Sequence, residues 1–522
     1  MTDMVLKLLM LLVFFALMIA VGFYCRRHSG DVNGFVLGSR AVGPWLTAFA
    51  YGTSYFSAVI LVGYSGQFGW KYGIASTWIG LGNALIGSYM AWAILGRRTR
   101  VMTQHLESKT MPDFFHKRYG SASLRTGAAL IIFLFLIPYA ASLYNGLSRL
   151  FAMAFDIDYT VCILLMTVLT AIYVIAGGYM ATVVNDFIQG VIMLAGIVAI
   201  IAAALSQFGG LSEALQKLAA VSDPTVSTAP GAFTSFLGPD PLNLLGVVIL
   251  TSLGTWSLPQ MTQKFYAIKN ESAILRGTVI STLFALVVAG GCYFLGGFGR
   301  LLSDRVDVAA QGYDAIIPPM VQHFSPLLLG LVVVLVLAAS MSTLSSRVLT
   351  ASSTLTLDLI ALRKGVKMGE KQRLGTIRGL ILVFIALSAV IAIVQYRYNI
   401  AFIAQLMGLS WGAMAGAFLG PYLYGLYSRR VTVAAVWTSF LFGTGTMLLN
   451  MLAKPLFPAL LQSPINCGAF VMLASLVIVP LVSLFTKAPD RAHLDSVFSC
   501  YDRAVTVTAR DSIGNPKEQA QP

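Results

Sequence analysis

Charged residues are scarce in this chain of 522 residues. Only 11% are Asp, Glu, Lys or Arg, against about 25% in soluble globular domains, while 57% are hydrophobic. A water-soluble fold has no core large enough for this much apolar sequence, whereas a lipid bilayer accommodates it. The composition therefore predicts an integral membrane protein that contacts the lipid bilayer. The formal net charge of +14 then needs no nucleic-acid partner, because it can lie on one side of the membrane.

Residues and motifs of catalytic and metal sites are also few. The five cysteines show no C-x-x-C spacing, and the five histidines lie outside the apolar runs, in loops or tails. The chain contains no phosphate-binding Walker loop, no H-E-x-x-H and no G-x-S-x-G motif. We therefore expect no enzyme, no zinc site and no obligatory protein partner.

Apolar runs long enough to cross a hydrocarbon core of about 30 Å occur thirteen times. They cover approximately 4–25, 43–66, 74–96, 124–151, 159–178, 183–206, 241–262, 273–298, 326–357, 376–396, 401–427, 432–452 and 467–487. The first run lacks a basic leader, so we expect a membrane helix and not a cleavable signal. The sequence thus predicts an all-α protein with about thirteen transmembrane helices.

The distribution of Lys and Arg predicts the orientation. With the N-terminus outside, the cytoplasmic connections hold 26 of the 35 basic residues and the outside connections hold 6. Cytoplasmic loops of membrane proteins are enriched in Lys and Arg. We expect a multi-pass protein of the inner (plasma) membrane with its C-terminus in the cytoplasm.

The second span carries small and hydroxyl residues where lipid-facing helices are apolar: Gly52, Thr53, Ser54, Tyr55 and Ser57. Such residues allow a helix to unwind and turn its carbonyl groups towards a cavity. The alternative is close packing between helices through small residues, which is common in membranes.

The ninth span has five hydroxyl residues between positions 340 and 346. Ala339, Ser342, Thr343 and Ser346 follow i, i+3, i+4, i+7 spacing and share one helix face, with Ser345 beside it. Oxygen ligands suit a hard cation such as sodium. The alternative is that these hydroxyls bond to carbonyls of their own helix.

Asp186 lies near the start of the sixth span. A carboxylate at membrane depth needs a partner, and either a bound cation or Arg347 could supply it. The alternative is a helix N-cap at the membrane interface.

The seventh span contains Gly254 and Pro259, which predict a break matching the one in the second span. Two five-helix halves with an odd number of spans each would be inverted relative to one another. The predicted organisation is an N-terminal helix and linker (1–40), a first repeat (41–206), an extracytoplasmic loop (207–239), a second repeat (240–430), two accessory helices (431–487) and a cytoplasmic tail (488–522).

The chain resembles the sodium:solute symporter family in motifs spread from about residue 35 to residue 430. They are Leu37–Arg40 with Gly43 and Pro44, Gly177 and Gly178 with Asp186 and Gln189, and Met341–Ser345 with Ser352, Ser353 and Asp358. The resemblance implies a leucine-transporter-like inverted five-plus-five repeat, with one extra N-terminal and two C-terminal helices. It implies sodium as the coupling ion.

The resemblance also implies the ligands of sodium. By position, the conserved sodium site of the family falls on Thr53 and Phe56, through backbone carbonyls, and on Ala339, Ser342 and Thr343. The second sodium of some members falls on Asp186, Ser342, Ser345 and Ser346.

The resemblance also bears on the solute. The chain looks most like the sodium/proline branch, yet Tyr55, Thr251 and Thr255 replace an aspartate, a tryptophan and a tyrosine of that branch, while Pro259 is retained. Sialate carriers hold the carboxylate with an arginine near the position of Tyr139. The expected solute contacts are Ser54, Tyr55, Ser57, Gln67, Tyr139, Thr255, Trp256 and Pro259.

Together these features predict a sodium-coupled symporter that imports a small organic solute, such as a proline-like amino acid or a short monocarboxylate, by alternating access. The alternative is a proton-coupled carrier that uses Asp186 as its proton site. A channel is less favoured because no selectivity-filter element repeats. A membrane enzyme is least favoured because no histidine or carboxylate pair lies at membrane depth.

Overall fold

A computed structural model describes residues 2–26, 30–155, 158–224, 226–227, 229–308, 312–362, 368–398 and 403–502. Within these ranges the secondary structure is helical, apart from two isolated β-bridges. The helices are α1 (Thr2–Cys25), α2 (Val32–Leu37), α3 (Pro44–Tyr55), α4 (Ser65–Tyr72), α5 (Thr77–Gly82), α6 (Arg97–His105), α7 (Met111–Tyr119), α8 (Ala122–Phe155), α9 (Tyr159–Gln207), α10 (Leu211–Ala220), α11 (Pro241–Leu253), α12 (Pro259–Ala267), α13 (Glu271–Gly296), α14 (Ile317–Val321), α15 (Pro326–Thr354), α16 (Glu370–Tyr398), α17 (Ile403–Tyr427), α18 (Val433–Leu452), α19 (Pro464–Phe485) and α20 (Arg491–Phe498).

Nine helices of the described residues are long and apolar enough to cross a membrane, or ten if the bent pair α11 and α12 forms one span. The predicted apolar runs fall on helices or helix pairs, and the number thirteen stays a prediction. Positions 401 and 402 of the eleventh run, and positions 503–522 of the predicted tail, lie outside the described residues.

One helix, α9, contains both the fifth and the sixth predicted spans. Its 49 residues would measure about 74 Å if straight, far more than a bilayer is thick. The helix kinks at Gly178, where φ is 58° and ψ is −147°. This conformation favours glycine, and a Cβ here would lie 2.7 Å from the ring of Phe35. The two predicted spans therefore join through a kink.

Both predicted helix breaks are present. Helix α3 ends at Tyr55, and Phe56 takes an extended conformation with φ −78° and ψ 128°. The chain then re-enters helix through a wide turn at Val59–Tyr64 that leads into α4. In the second half, α11 ends at Leu253, and after the turn Gly254–Trp256 the chain bends by 40° into α12.

Helix α15 lies at the centre of the bundle and packs against α1, α3, α8, α9 and α16. Every residue from Val332 to Thr354 is buried. A helix surrounded on all faces presents its polar side chains to other helices and not to lipid. The face of α15 that carries Ser342 and Thr343 therefore packs against the break of α3.

Candidate functional site

Five oxygen atoms converge where the break of α3 meets α15. The hydroxyl of Thr343 lies 3.1 Å from the Thr53 carbonyl oxygen, 2.9 Å from that of Phe56 and 2.8 Å from that of Ala339. The Ser342 hydroxyl lies 3.1 Å from the Thr53 carbonyl and 3.0 Å from the Ala339 carbonyl. All five residues are buried. We call these five oxygens the hydroxyl–carbonyl cluster.

The end of α3 explains why its carbonyls are turned to α15. The last helical bond runs from the Phe56 amide to the Gly52 carbonyl, 3.0 Å, so the Thr53 carbonyl is the first one beyond the helical pattern. Two hydroxyl protons face three carbonyl oxygens in the cluster, which leaves acceptor lone pairs in excess. An excess of neutral oxygen acceptors in a buried place is the chemistry that a dehydrated hard cation requires.

A buried ion pair lies one helical turn further along α15. The Lys264 ammonium is 3.5 Å from a carboxylate oxygen of Asp186, and both side chains are almost completely buried. Lys264 also donates to the Ser346 hydroxyl, 3.1 Å away, and lies over the ring of Tyr179. The hydroxyls of Ser346 and Ser54 hydrogen-bond each other at 2.9 Å, so the pair is linked to the broken helix α3.

The structure decides between the alternatives that the sequence left open for Asp186. Asp186 lies inside α9, eight residues beyond the kink, so it does not cap a helix. Its protein partner is Lys264 and not Arg347. Lys264 was counted among the basic residues of the cytoplasmic connections, and this is corrected, because it is buried within α12. The break at Pro259 indicates that a second half-helix follows it. The polar residues of this half-helix, α12, make its sequence resemble a loop.

Of the two other residues proposed for a second sodium, Ser342 belongs to the hydroxyl–carbonyl cluster and Ser345 bonds elsewhere. Ser345 is buried, and its hydroxyl donates to the Ser342 carbonyl of the same helix at 2.9 Å. Thus the structure brings Asp186 and Ser346 together around Lys264, while Ser345 bonds within α15.

An aromatic cluster adjoins the ion pair. The rings of Tyr55 and Trp411 are 5.7 Å apart between centroids, and those of Tyr139 and Trp411 are 5.8 Å apart. The guanidinium carbon of Arg347 lies 3.2 Å from the centre of the Tyr139 ring. Asn83 bonds the Tyr55 hydroxyl. Trp411 and Asn83 were missed because each is one polar group within a mainly apolar run.

The other predicted solute contacts divide into three places. Ser57 is buried at the break of α3. Thr255 donates to the Gly87 carbonyl at 2.8 Å and Trp256 to the Ile86 carbonyl at 2.9 Å, so both bond to the helix that continues α5, and Pro259 begins α12. Gln67 lines a cavity of about 560 Å³ that also borders the 207–239 connection.

The chain is similar in sequence to known transporters. A sequence model of the sodium:solute symporter family matches residues 35–443. The osmoregulated proline transporter OpuE of Bacillus subtilis is 28% identical over 492 residues, covering 92% of this chain and 95% of the relative. The sodium/proline symporter of Staphylococcus aureus is 27% identical over 447 residues, covering 83% and 84%.

Solved structures agree in fold. A sodium-coupled sialic acid symporter, in a substrate-bound outward-open state, superposes with a TM-score of 0.71 at 15% identity, covering 93% of this chain and 99% of the other. The nucleobase-cation-symport-1 family transporter Mhp1 gives a TM-score of 0.50 at 13% identity, covering 89% and 97%. The predicted fold class, an all-α membrane protein of the leucine-transporter type, is confirmed.

Proposed function

This chain belongs to the sodium:solute symporter family, and on that premise we propose that it imports an amino acid such as proline, or a short monocarboxylate, together with sodium by alternating access. The chain is a multi-pass membrane protein, and its coupling ion is sodium. The members to which it is similar are transporters and not enzymes.

The hydroxyl–carbonyl cluster is the observation that carries the proposal. It joins a broken helix of the first repeat to a central helix of the second, through oxygens of Thr53, Phe56 and Thr343 between 2.9 and 3.1 Å. A sodium ion bound here would tie the two repeats together, and its release would free them to move. Sodium would thus stabilise one conformation by differential binding, which is the requirement for coupling.

The position proposed for a second sodium is assigned to Lys264. Its ammonium lies against both Asp186 and Ser346, two of the ligands proposed for that ion. A protein cation that already compensates the buried carboxylate competes with sodium for the same oxygens. We therefore propose that one sodium ion is coupled to each solute molecule.

The same pair counts against the proton-coupled alternative. A proton carrier based on Asp186 would need the carboxylate to gain and lose a proton during each cycle. In the structure, the Lys264 ammonium lies 3.5 Å from this carboxylate and favours its charged form. Together with the sodium-coupled relatives, this contact favours sodium.

The orientation proposed is N-terminus outside and C-terminus in the cytoplasm, in the plasma membrane. Support comes from the basic residues of the described connections, such as Arg97 and Arg98 in α6 and Arg429 and Arg430 after α17. Single cysteines placed in these connections should be labelled by a membrane-impermeant maleimide only from the cytoplasmic side.

The function is tested by uptake into proteoliposomes containing the full chain. An inward sodium gradient should drive accumulation of at least one of L-proline, L-alanine, pyruvate, L-lactate or propionate, and replacing sodium with choline should abolish it. A proton gradient imposed without sodium should drive none. Uptake driven by protons alone would contradict the proposal.

A further inference from the structure

Arg347 is a fully buried arginine, and among the described residues no hydrogen-bond partner is found for any of its three guanidinium nitrogens. A guanidinium carries five N–H donors, and buried donors of folded proteins are nearly always satisfied. Arg347 contacts the ring of Tyr139 with its guanidinium carbon 3.2 Å from the ring centre. This contact with a π face compensates part of the charge and leaves the donors of Arg347 unused.

The neighbours of Arg347 also carry unused polar groups. Within the described residues, the Tyr139 hydroxyl and the Trp411 ring nitrogen are buried and close to each other and to Arg347, without a hydrogen bond of good geometry, and their rings are 5.8 Å apart between centroids. A planar guanidinium beside two further donors is an arrangement that receives a planar anion. A carboxylate of the solute would supply the acceptors that the Arg347 guanidinium lacks, with Tyr139 and Trp411 as neighbouring donors.

We propose that Arg347 binds the carboxylate of the transported solute, and that this solute is a short monocarboxylate without an ammonium group. The inference deepens the proposed function and rests on it. It selects between the two solute classes, amino acids and monocarboxylates, that the family leaves open.

The charges of the buried interior decide between these classes. The carboxylate of Asp186 is occupied by Lys264, and those of Asp113 and Asp358 by Arg125. The other buried acid of the described residues, Asp314, lies outside the aromatic cluster, in the turn before α14.

An amino acid would bring an ammonium beside Arg347, and every buried carboxylate of the described residues is either paired or outside the aromatic cluster, so the two positive charges would repel. A monocarboxylate neutralises Arg347 and adds no further charge. The uncompensated positive charge thus favours a solute that is an anion over one that is a zwitterion.

A second buried arginine, Arg118, has a structural role because its donors are used by the protein itself. Arg118 is also fully buried, but it donates to the carbonyls of Gly425 and Ser428, both at 2.7 Å, and it is close to two aromatic rings. Its burial also lowers its pKa. Arg118 therefore serves as the matched control for removing a buried guanidinium.

The test is a thermal-shift series on the purified full chain, with sodium or choline and with acetate, propionate, pyruvate, L-lactate, propionamide or L-proline as probe. At least one of the four carboxylates should raise the Tm in sodium and not in choline. Propionamide, which has nearly the shape of propionate but no charge, and L-proline should give no shift. Stabilisation by L-proline, or by no carboxylate, would overturn the inference.

Variants then locate the carboxylate. Arg347→Gln should weaken the apparent affinity for the stabilising carboxylate about a hundredfold, because charge-assisted hydrogen bonds are lost, while the sodium shift remains. Arg347→Lys should weaken it by about tenfold, since the charge is kept and the planar fork is lost. Arg118→Gln should lower the Tm and leave the affinity unchanged. Equal carboxylate affinities in Arg347→Gln and the wild type would contradict the proposal.

The failure of this inference differs from the failure of the proposed function. If sodium alone raises the Tm but the carboxylates add nothing, only the solute class is wrong. If sodium gives no shift that choline does not also give, the symport proposal fails, and this inference fails with it.

Discussion

Two places on the contact between α3 and α15 are built for positive charge, one helical turn apart. The hydroxyl–carbonyl cluster around Thr343 contains neutral oxygens. The second place contains the Asp186 carboxylate, together with the Lys264 ammonium that compensates it. We propose that the first binds and releases sodium, whereas the second contains a cation that is part of the chain.

This difference indicates how one fold can couple different numbers of ions. A neutral cluster gains charge only when an ion binds, so with sodium as its ligand its occupancy would follow the sodium concentration. On the proposal made above, the lysine beside Asp186 compensates the carboxylate in place of a second sodium ion, so one ion fewer is transported. On this proposal, the residue at position 264 decides whether the second place is a site for sodium or a permanent bridge between Lys264 and Asp186.

The largest effect is expected when the permanent bridge is broken. Lys264→Met leaves the Asp186 carboxylate uncompensated in the membrane interior, which should cost about 3–5 kcal/mol and lower the Tm strongly. The double variant Asp186→Asn with Lys264→Met removes both charges and should recover most of the loss. The stabilities of the wild type, Lys264→Met and the double variant are compared by the Tm values of the purified proteins in choline. A double variant no more stable than Lys264→Met would show that the pair is not coupled.

Lys264→Met should also change the number of sodium ions that the protein binds. Without its lysine, Asp186 can be compensated by a second sodium ion together with Ser346. The Hill coefficient of the sodium-dependent Tm shift should therefore rise from about one in the wild type towards two in Lys264→Met. A wild-type coefficient near two would contradict the assignment of one coupled sodium. The double variant provides the control, because it lacks the carboxylate and should return to one.

A smaller effect is expected for Ser346→Ala. This change removes the hydrogen bond from Lys264 and the link to Ser54, while the ion pair remains. A bond to a charged donor is worth about 1.5–3 kcal/mol, so the Tm should fall by less than in Lys264→Met. The sodium concentration for half-maximal stabilisation should change less than about threefold, because Ser346 lies outside the hydroxyl–carbonyl cluster. A larger change would place Ser346 among the ligands of the transported ion.

The smallest effect is expected for Ser345→Ala. Its hydroxyl bonds the Ser342 carbonyl within α15, and alanine favours helix as well as serine or better. We expect a change in stability within about 1 kcal/mol and an unchanged sodium Hill coefficient. A loss of sodium affinity here would show that the Ser345 hydroxyl turns towards an ion.

The sequence predicted much of this site because its signals are local. Gly254 and Pro259 predicted the break between α11 and α12, and small residues around Gly52 predicted the break of α3. The i, i+3, i+4 spacing predicted that Ser342 and Thr343 share a face, and the structure directs both at the Thr53 carbonyl. Helix periodicity and glycine conformation act within a few residues, so one sequence suffices to detect them.

The missing parts depend on contacts between distant positions. Lys264 follows a proline in a polar stretch, and only the packing of α12 against α15 shows that it is buried beside Asp186. Trp411 looks like an ordinary apolar residue until the fold brings it to Tyr55 and Tyr139. No local pattern encodes such pairings.

The central claim is that the transported sodium binds at the hydroxyl–carbonyl cluster. The measurement that tests it most directly is sodium titration of uptake by wild type, Thr343→Ala, and Ser353→Ala as a matched control whose hydroxyl bonds the Leu349 carbonyl of its own helix at 2.7 Å. Losing the Thr343 oxygen should raise the sodium concentration for half-maximal uptake about ten- to a hundredfold, while Ser353→Ala leaves it unchanged. Equal sodium dependence in all three proteins would contradict the account.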